Sequence, residues 1–159
     1  MPDAARMVSF PVRDQADLLV GLRRVQEQGL LVEASDVERS LVVTMISELA
    51  TNIVKYAGQG TIRVGRSRGD DGVDIEIWAE DRGPGIENVD RAMRDHFTTG
   101  NTLGLGLPGV RRMADHFEIQ SEPGRGTRVH ARRRISGRRF QRPAPAPSVR
   151  SGHAPRSAA

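Results

Sequence analysis

Glu48, Asn52 and the Lys55-Tyr56 pair stand four, seven and eight positions apart, so a helix through them would carry them along one face. That row is able to face a ligand, and its spacing is equally that of the solvated polar edge of an amphipathic helix. A second group is Asp81-Arg-Gly-Pro-Gly85-Ile86. Its carboxylate, beside a glycine turn that permits close backbone approach, can accept a hydrogen bond from a ligand amine; a plain strand-to-loop turn reads the same way. The third is Thr98-Thr-Gly-Asn-Thr-Leu-Gly-Leu-Gly-Leu107, a glycine-rich run entering a helix. Backbone N–H groups and the positive helix end make such a place an anion site. It lacks the GxxxxGK[ST] pattern of a P-loop, and a lone GxG is weak by itself. Gly124-Arg-Gly-Thr127 forms a turn before the last strand.

The elements that must position these groups are legible in the patterning. Met7–Val12 reads as a strand with Phe10 and Val12 on one side, and 14–28 as a helix carrying Leu18, Leu19, Leu22 and Val25. Ser35-Asp-Val-Glu38 is a capping box opening the longest helix, about 36–57. Its expected apolar stripe is Val37, Leu41, Met45, Leu49 and Ile53, and Gly58 ends it. Strands follow over 61–67 and 73–79, joined by the hairpin turn Gly69-Asp-Asp-Gly72. In the second, Val73, Ile75, Ile77 and Ala79 alternate with Asp74, Glu76, Trp78 and Glu80, the signature of a sheet covered on one face. Residues 82–103 are too long for an idle connection. A helix over 107–116 and strands near 117–121 and 127–133 complete the pattern. The expected fold is a two-layer α/β sandwich with a mixed, mainly antiparallel sheet and about three helices on one face.

With 159 residues, 37% apolar and 4% aromatic, the chain suits one domain with an aliphatic core. It has no cysteine, which excludes disulfides and thiolate catalysis and suits a reducing cytoplasm. No apolar run is long enough for a membrane span, and no signal peptide is expected at the N-terminus. Eight arginines and no acid lie in 132–159; taking those eight from the overall +4 leaves the remainder at −4. A mildly acidic body is not built to follow a phosphate backbone, so neither nucleic acid nor membrane is expected as a partner. Residues 1–135 are expected to form the domain and 136–159, rich in proline and arginine, a disordered tail. His96, His116, His130 and His153 show no metal-ligand spacing with acids, so no zinc site is expected. Ser47 has no histidine partner, which leaves a hydrolase triad unsupported.

Taken together, the order and separation of the four groups resemble the GHKL ATPase superfamily, over roughly residues 7–134. Glu48-Leu-Ala-Thr-Asn52 resembles its N box, Asp81-Arg-Gly-Pro-Gly85 its first glycine box, Gly104-Leu-Gly106 its second, and Gly126-Thr127 its closing Gly-Thr. Within it, Ser47–Ala57 and Gly104–Met113 are most similar to the anti-sigma and stressosome-type switch-protein serine kinases, and the lid is short, as in the stressosome-type members. The resemblance implies the Bergerat ATP-binding fold, ATP and Mg²⁺ as cofactors, and Asn52 holding the metal. It implies that Asp81 recognises the adenine amino group, with Gly83, Gly85, Ile86 and Thr127 around the base. It places Lys55 and Tyr56 toward the nucleotide, and Thr99, Gly100, Leu103, Gly104, Leu105, Gly106 and Leu107 in or after a lid over the phosphates. Glu48 becomes the candidate base, because a serine hydroxyl must lose its proton to an acceptor whereas a histidine needs none. The expected activity is a serine/threonine kinase of a partner-switching system acting on STAS-domain regulators, with a PP2C-type phosphatase or a sigma factor as further candidate partners. The competing reading is a nucleotide-responsive anti-sigma factor that works by sequestration.

Overall fold

A computed structural model describes residues 6–69, 72–94 and 106–135. Its strands are β1 (Met7–Val12), β2 (Gly60–Gly69), β3 (Gly72–Asp81), β4 (His116–Glu122) and β5 (Gly126–Ile135); its helices are α1 (Gln15–Glu27), α2 (Asp36–Ala57), α3 (Val89–Ala92) and α4 (Gly106–Met113). The strands form one sheet in the order β1-β2-β3-β5-β4. Each neighbouring pair is antiparallel. The parallel component expected of a mixed sheet is missing among the described residues for a simple reason: β3 and β4 run the same way, but β5 lies between them. Asp70, Asp71 and residues 95–105 and 136–159 fall outside the described residues, and with them the centre of the expected hairpin turn, most of the expected lid and the expected tail.

Helix α2 begins on the capping box, with Glu38 N–H donating to Ser35 Oγ (3.2 Å) and Ser35 N–H to the Glu38 carboxylate (2.9 Å). It stops at Gly58, whose φ of 79° is left-handed and open to glycine. The buried stripe is Val42, Met45, Ile46, Leu49, Ala50 and Ile53. Val37 does not belong to it. That residue is 70% exposed, because it sits in the first turn, ahead of the helical row that meets the sheet. Leu19 on α1 also faces solvent, while Gly21 and Val25 turn inward.

Against α2 lie Val8, Phe10 and Val12 of β1, Ile62 and Val64 of β2, Val73, Ile75, Ile77 and Ala79 of β3, and Val129, Ala131 and Ile135 of β5, all buried. Each fully buried aliphatic side chain contributes about 1.5–3 kcal/mol, several times what an exposed ion pair supplies. The one-sided core is therefore the dominant stabilising term. The opposite face carries Arg63, Asp74, Glu76, Trp78, Glu80, His130 and Arg134 in cross-strand register, with Arg134 forked onto Asp74 at 3.0 and 3.2 Å.

Arg132, Arg133 and Arg134 are strand residues of β5 and not part of the tail. Arg133 turns inward and donates to the Met113 carbonyl at the end of α4, a site where a cation suits the helix dipole. Arg66 on β2 is buried and lies 2.8 Å from Glu33. This ion pair is close but poorly aligned for hydrogen bonding, and Nε and Nη2 of Arg66 find no hydrogen-bond partner among the described residues.

Gly21 is where α1 rests on β1: a Cβ there would run into the Phe10 ring. Helix propensity alone would make Gly21→Ala stabilising by about 1 kcal/mol, whereas overpacking a buried ring costs about 1–3 kcal/mol. Thermal denaturation of Gly21→Ala should show a lowered Tm, partly recovered when Phe10→Leu is added. A raised Tm would mean that α1 does not sit this close to β1.

Candidate functional site

Two structural edges converge at one end of the sheet. The first is a row across four strand ends: Gly60 pairs with Asp81, Asp81 with Thr127, and Thr127 with Ser121. These positions continue the inner-face alternation of Ile62, Ala79, Val129 and Ile119, so the row lies on the helix side of the sheet. The second edge is the C-terminal half of α2. A Cβ on Gly60 would meet Ile53, and one on Gly83 would lie 2.5 Å from the Ala57 Cβ. Two glycines thus let the helix end and the strand ends touch.

Asp81 is half-buried, and its Oδ1 accepts from Gly83 N–H at 2.9 Å, a turn closed by the side chain itself. Gly85 has φ 75°, and a Cβ there would strike the Glu122 carbonyl. Pro84 O accepts from Gly124 N–H at 2.8 Å, so the loop after β3 is seated on the β4–β5 turn. Ile86, half-buried, donates its N–H to Ser121 Oγ at 2.7 Å. Ser121 Oγ lies 2.8 Å from Thr127 Oγ1 and 3.1 Å from the Gly126 carbonyl. The structure therefore assembles Asp81, Gly83, Gly85, Ile86 and Thr127 as a unit, and Ser121 is its hub. Nothing in the sequence singles Ser121 out, since a serine near a strand end has no motif of its own.

On α2, Glu48 and Asn52 are half-buried one turn apart. Glu48 Oε2 accepts from the N–H of Gly106 at 3.2 Å, across 58 positions of sequence. Gly106, with φ 58°, is the first residue of α4, so a helix N-terminus is aimed at the candidate base. Leu107 packs beside the core. Lys55 and Tyr56 are exposed at the end of α2, with Lys55 Nζ 5.2 Å from the Tyr56 ring centre. Thr99, Gly100, Leu103, Gly104 and Leu105 lie outside the described residues.

A cavity of about 730 Å³ reaches Asp81 and Thr127 from the other side, between Glu80, Gln120 and Arg128. Those three face outward from the sheet, so this is not the space between α2 and α4. The outer face also brings together His116, Glu118 and His130, with one ligand atom of each within 4.8 Å of the others. Linear spacing gave no sign of that, because the three residues meet by strand register.

Residues 37–136 match the family model described as histidine kinase-, DNA gyrase B-, and HSP90-like ATPase. The serine/threonine-protein kinase RsbT of Bacillus subtilis is 45% identical over 97 residues, which cover 60% of this chain and 71% of that one. An anti-sigma F factor of Caldanaerobacter subterraneus is 33% identical over 104 residues, covering 62% and 71%. Among solved structures, a mycobacterial sensor histidine kinase, MprB, is similar at TM-score 0.47 and 20% identity, over 80% of this chain and 97% of that one.

Replacing Ser121 with alanine takes an acceptor from Ile86 N–H and a partner from Thr127. The cost should be about 1–3 kcal/mol, the range for a stranded, partly buried polar group. Urea denaturation would measure it, and hydrogen exchange at the Ile86 amide should quicken. Unchanged stability and exchange would show that Ser121 does not hold the loop.

Proposed function

The chain belongs to the histidine kinase-, DNA gyrase B- and HSP90-like ATPase family, and we propose that it acts there as an ATP-dependent protein serine/threonine kinase of a partner-switching pair. Its substrate is a hydroxyl on a STAS-domain regulator. The similarity to a protein named as a serine/threonine kinase supports the reaction class. The observation that carries the mechanism is the contact between Glu48 and Gly106 N–H.

That contact tests whether the residues suit a nucleotide. A backbone donor at the N-terminus of an eight-residue helix points at an anionic oxygen on α2, which is the polarity that a phosphate needs. Asp81 and Thr127, side by side at the strand ends, offer an acceptor and a hydroxyl to a base. Asn52 offers a single amide oxygen, which fits Mg²⁺, an ion that takes few protein ligands and keeps its waters and phosphate oxygens. When bound, ATP·Mg²⁺ supplies the transferred phosphoryl group with its charge partly neutralised.

The chain's own part follows from α2. Glu48 Oε2 accepts from Gly106 N–H. With ATP·Mg²⁺ bound, Gly106 N–H would be the donor for a phosphate oxygen, which would leave the Glu48 carboxylate to the acceptor hydroxyl. Glu48 would accept the proton of the acceptor hydroxyl, whose oxygen would take the γ-phosphoryl group with ADP as the leaving group. Asp81 fixes the base end of the nucleotide, and the Ser121 hub holds the loop that carries it.

Glu48→Gln keeps an oxygen for Gly106 N–H but cannot take a proton. Phosphate transfer to a STAS-domain partner should slow roughly 10²–10⁴-fold, with ATP affinity nearly unchanged. Asn52→Ala should abolish Mg²⁺-dependent nucleotide binding. Both are read with labelled ATP and by calorimetry. Transfer at the normal rate by Glu48→Gln would sink the base assignment. A wild-type chain that binds ATP and never labels any STAS partner would favour sequestration, the mode of action suggested by the name of the anti-sigma F relative.

A further inference from the structure

We propose that the outer face of the sheet holds a second metal site, for a zinc-class transition ion, built by His116, Glu118 and His130 and separate from the nucleotide site. The three residues come from adjacent antiparallel strands. Glu118 stands directly opposite His130, and His116 lies diagonally beside it, paired with Arg132. One ligand atom from each falls within 4.8 Å of the others, close enough for a single ion to gather them by small side-chain rotations. His116 Nε2 is already 3.2 Å from Glu118 Oε1. Two imidazoles and one carboxylate select zinc, copper, nickel or cobalt over magnesium and calcium, which prefer oxygen alone. Three protein ligands leave a further position for water or a partner's side chain.

His130 is held in place from three sides. It stacks parallel on Trp78 at 5.1 Å with the planes 3° apart, meets His116 edge-on at 5.5 Å, and lies 3.1 Å from Glu76 Oε1. A carboxylate behind a ligating histidine is the usual support for such a ring. Arg132 shares the face, and Glu76 stands opposite it in register. Of the charged side chains beside the two imidazoles, Glu76 and Glu118 outnumber Arg132. Behind the cluster, on the inner side of β4 and β5, stand Phe117, Ile119, Val129 and Ala131, which belong to or pack against the core. The polar cluster is therefore set apart from Glu48 and Asn52 by the thickness of the sheet and its core.

Trp78 is the chain's one tryptophan, so it reports on its neighbour. Titrating the full chain with CuCl₂ or NiCl₂ should quench its emission saturably, with one ion per chain, and EDTA should restore it. ZnCl₂ should show one site by calorimetry and compete with the quenching ion. His116→Ala and Glu118→Gln leave the Trp78 stack intact and should each weaken saturation about 10-fold or more, with an unchanged circular dichroism spectrum. His96→Ala, His153→Ala and Glu48→Gln should leave it unaltered. Absence of saturable quenching would overturn the proposal. So would quenching that survives both His116→Ala and Glu118→Gln, since the ion would then sit elsewhere. Because Glu48→Gln is a control, failure of this site and failure of the kinase reading produce different results.

Discussion

The packing of α2 across one face of an antiparallel sheet constrains almost everything else in this chain. Six side chains of the helix are buried there, and the row one step round, with Glu48 and Asn52, is half-buried as a result. The helix can neither rotate nor slide without exposing Met45, Ile46 or Leu49, each nearly inaccessible to solvent. Close packing at interior density makes such displacement expensive. The chemistry of α2 is thus positioned by residues that take no part in it. Gly60 and Gly83 complete the arrangement by letting the helix end and strand ends approach within contact distance.

The same one-sidedness divides the molecule into two surfaces with different physics. On the helix side, Asp81, Thr127 and Ser121 at the sheet's end bond to one another or to the loop backbone, while Arg66 and Arg133 reach Glu33 and the Met113 carbonyl. On the other side, charges alternate across strands, as in Asp74 with Arg134 and Glu80 with Arg63. Exposed pairs of this sort add little stability one by one. They do set strand register, since a slip by one residue would bring the outer charges into the core. Register is what places Thr127 opposite Asp81 and His130 opposite Glu118.

Much of this was legible in the sequence where a local rule has one physical outcome. Ser35 and Glu38 mark the start of α2 and Gly58 its end, because caps satisfy particular backbone groups. The alternation of Val73, Ile75 and Ile77 reported a face buried on one side, and those residues are 3%, 0% and 0% exposed. Local rules failed where tertiary position decided. Val37 and Leu19 match a helical stripe yet overhang the sheet. α3 is four residues long, too short for any period to show. The charge division counted Arg132–Arg134 with the basic C-terminal stretch, although they belong to β5 and Arg133 serves the end of α4. In the candidate site, motif residues such as Asp81 and Thr127 were found together. Ser121, and the cluster of His116, Glu118 and His130, arise from pairing across strands that no linear spacing encodes.

The buried cation on β2 has an evolutionary consequence. Arg66 is almost wholly enclosed and answers to Glu33, which lies between α1 and α2. Removing one member of a buried pair is destabilising because it leaves an uncompensated charge, while replacing both by apolar residues is often neutral or better; Glu33 is 32% exposed, so water moderates the effect here. A lineage that changes either residue first must therefore pass through a less stable intermediate, and domain stability is marginal enough for that to matter. The apolar alternative can be as stable as the ion pair and still be hard to reach by single steps. Residues 33 and 66 should accordingly be inherited as a couple, and Arg68, 3.1 Å from the same carboxylate, is the neighbour best placed to ease the passage by keeping Glu33 in use while Arg66 is exchanged.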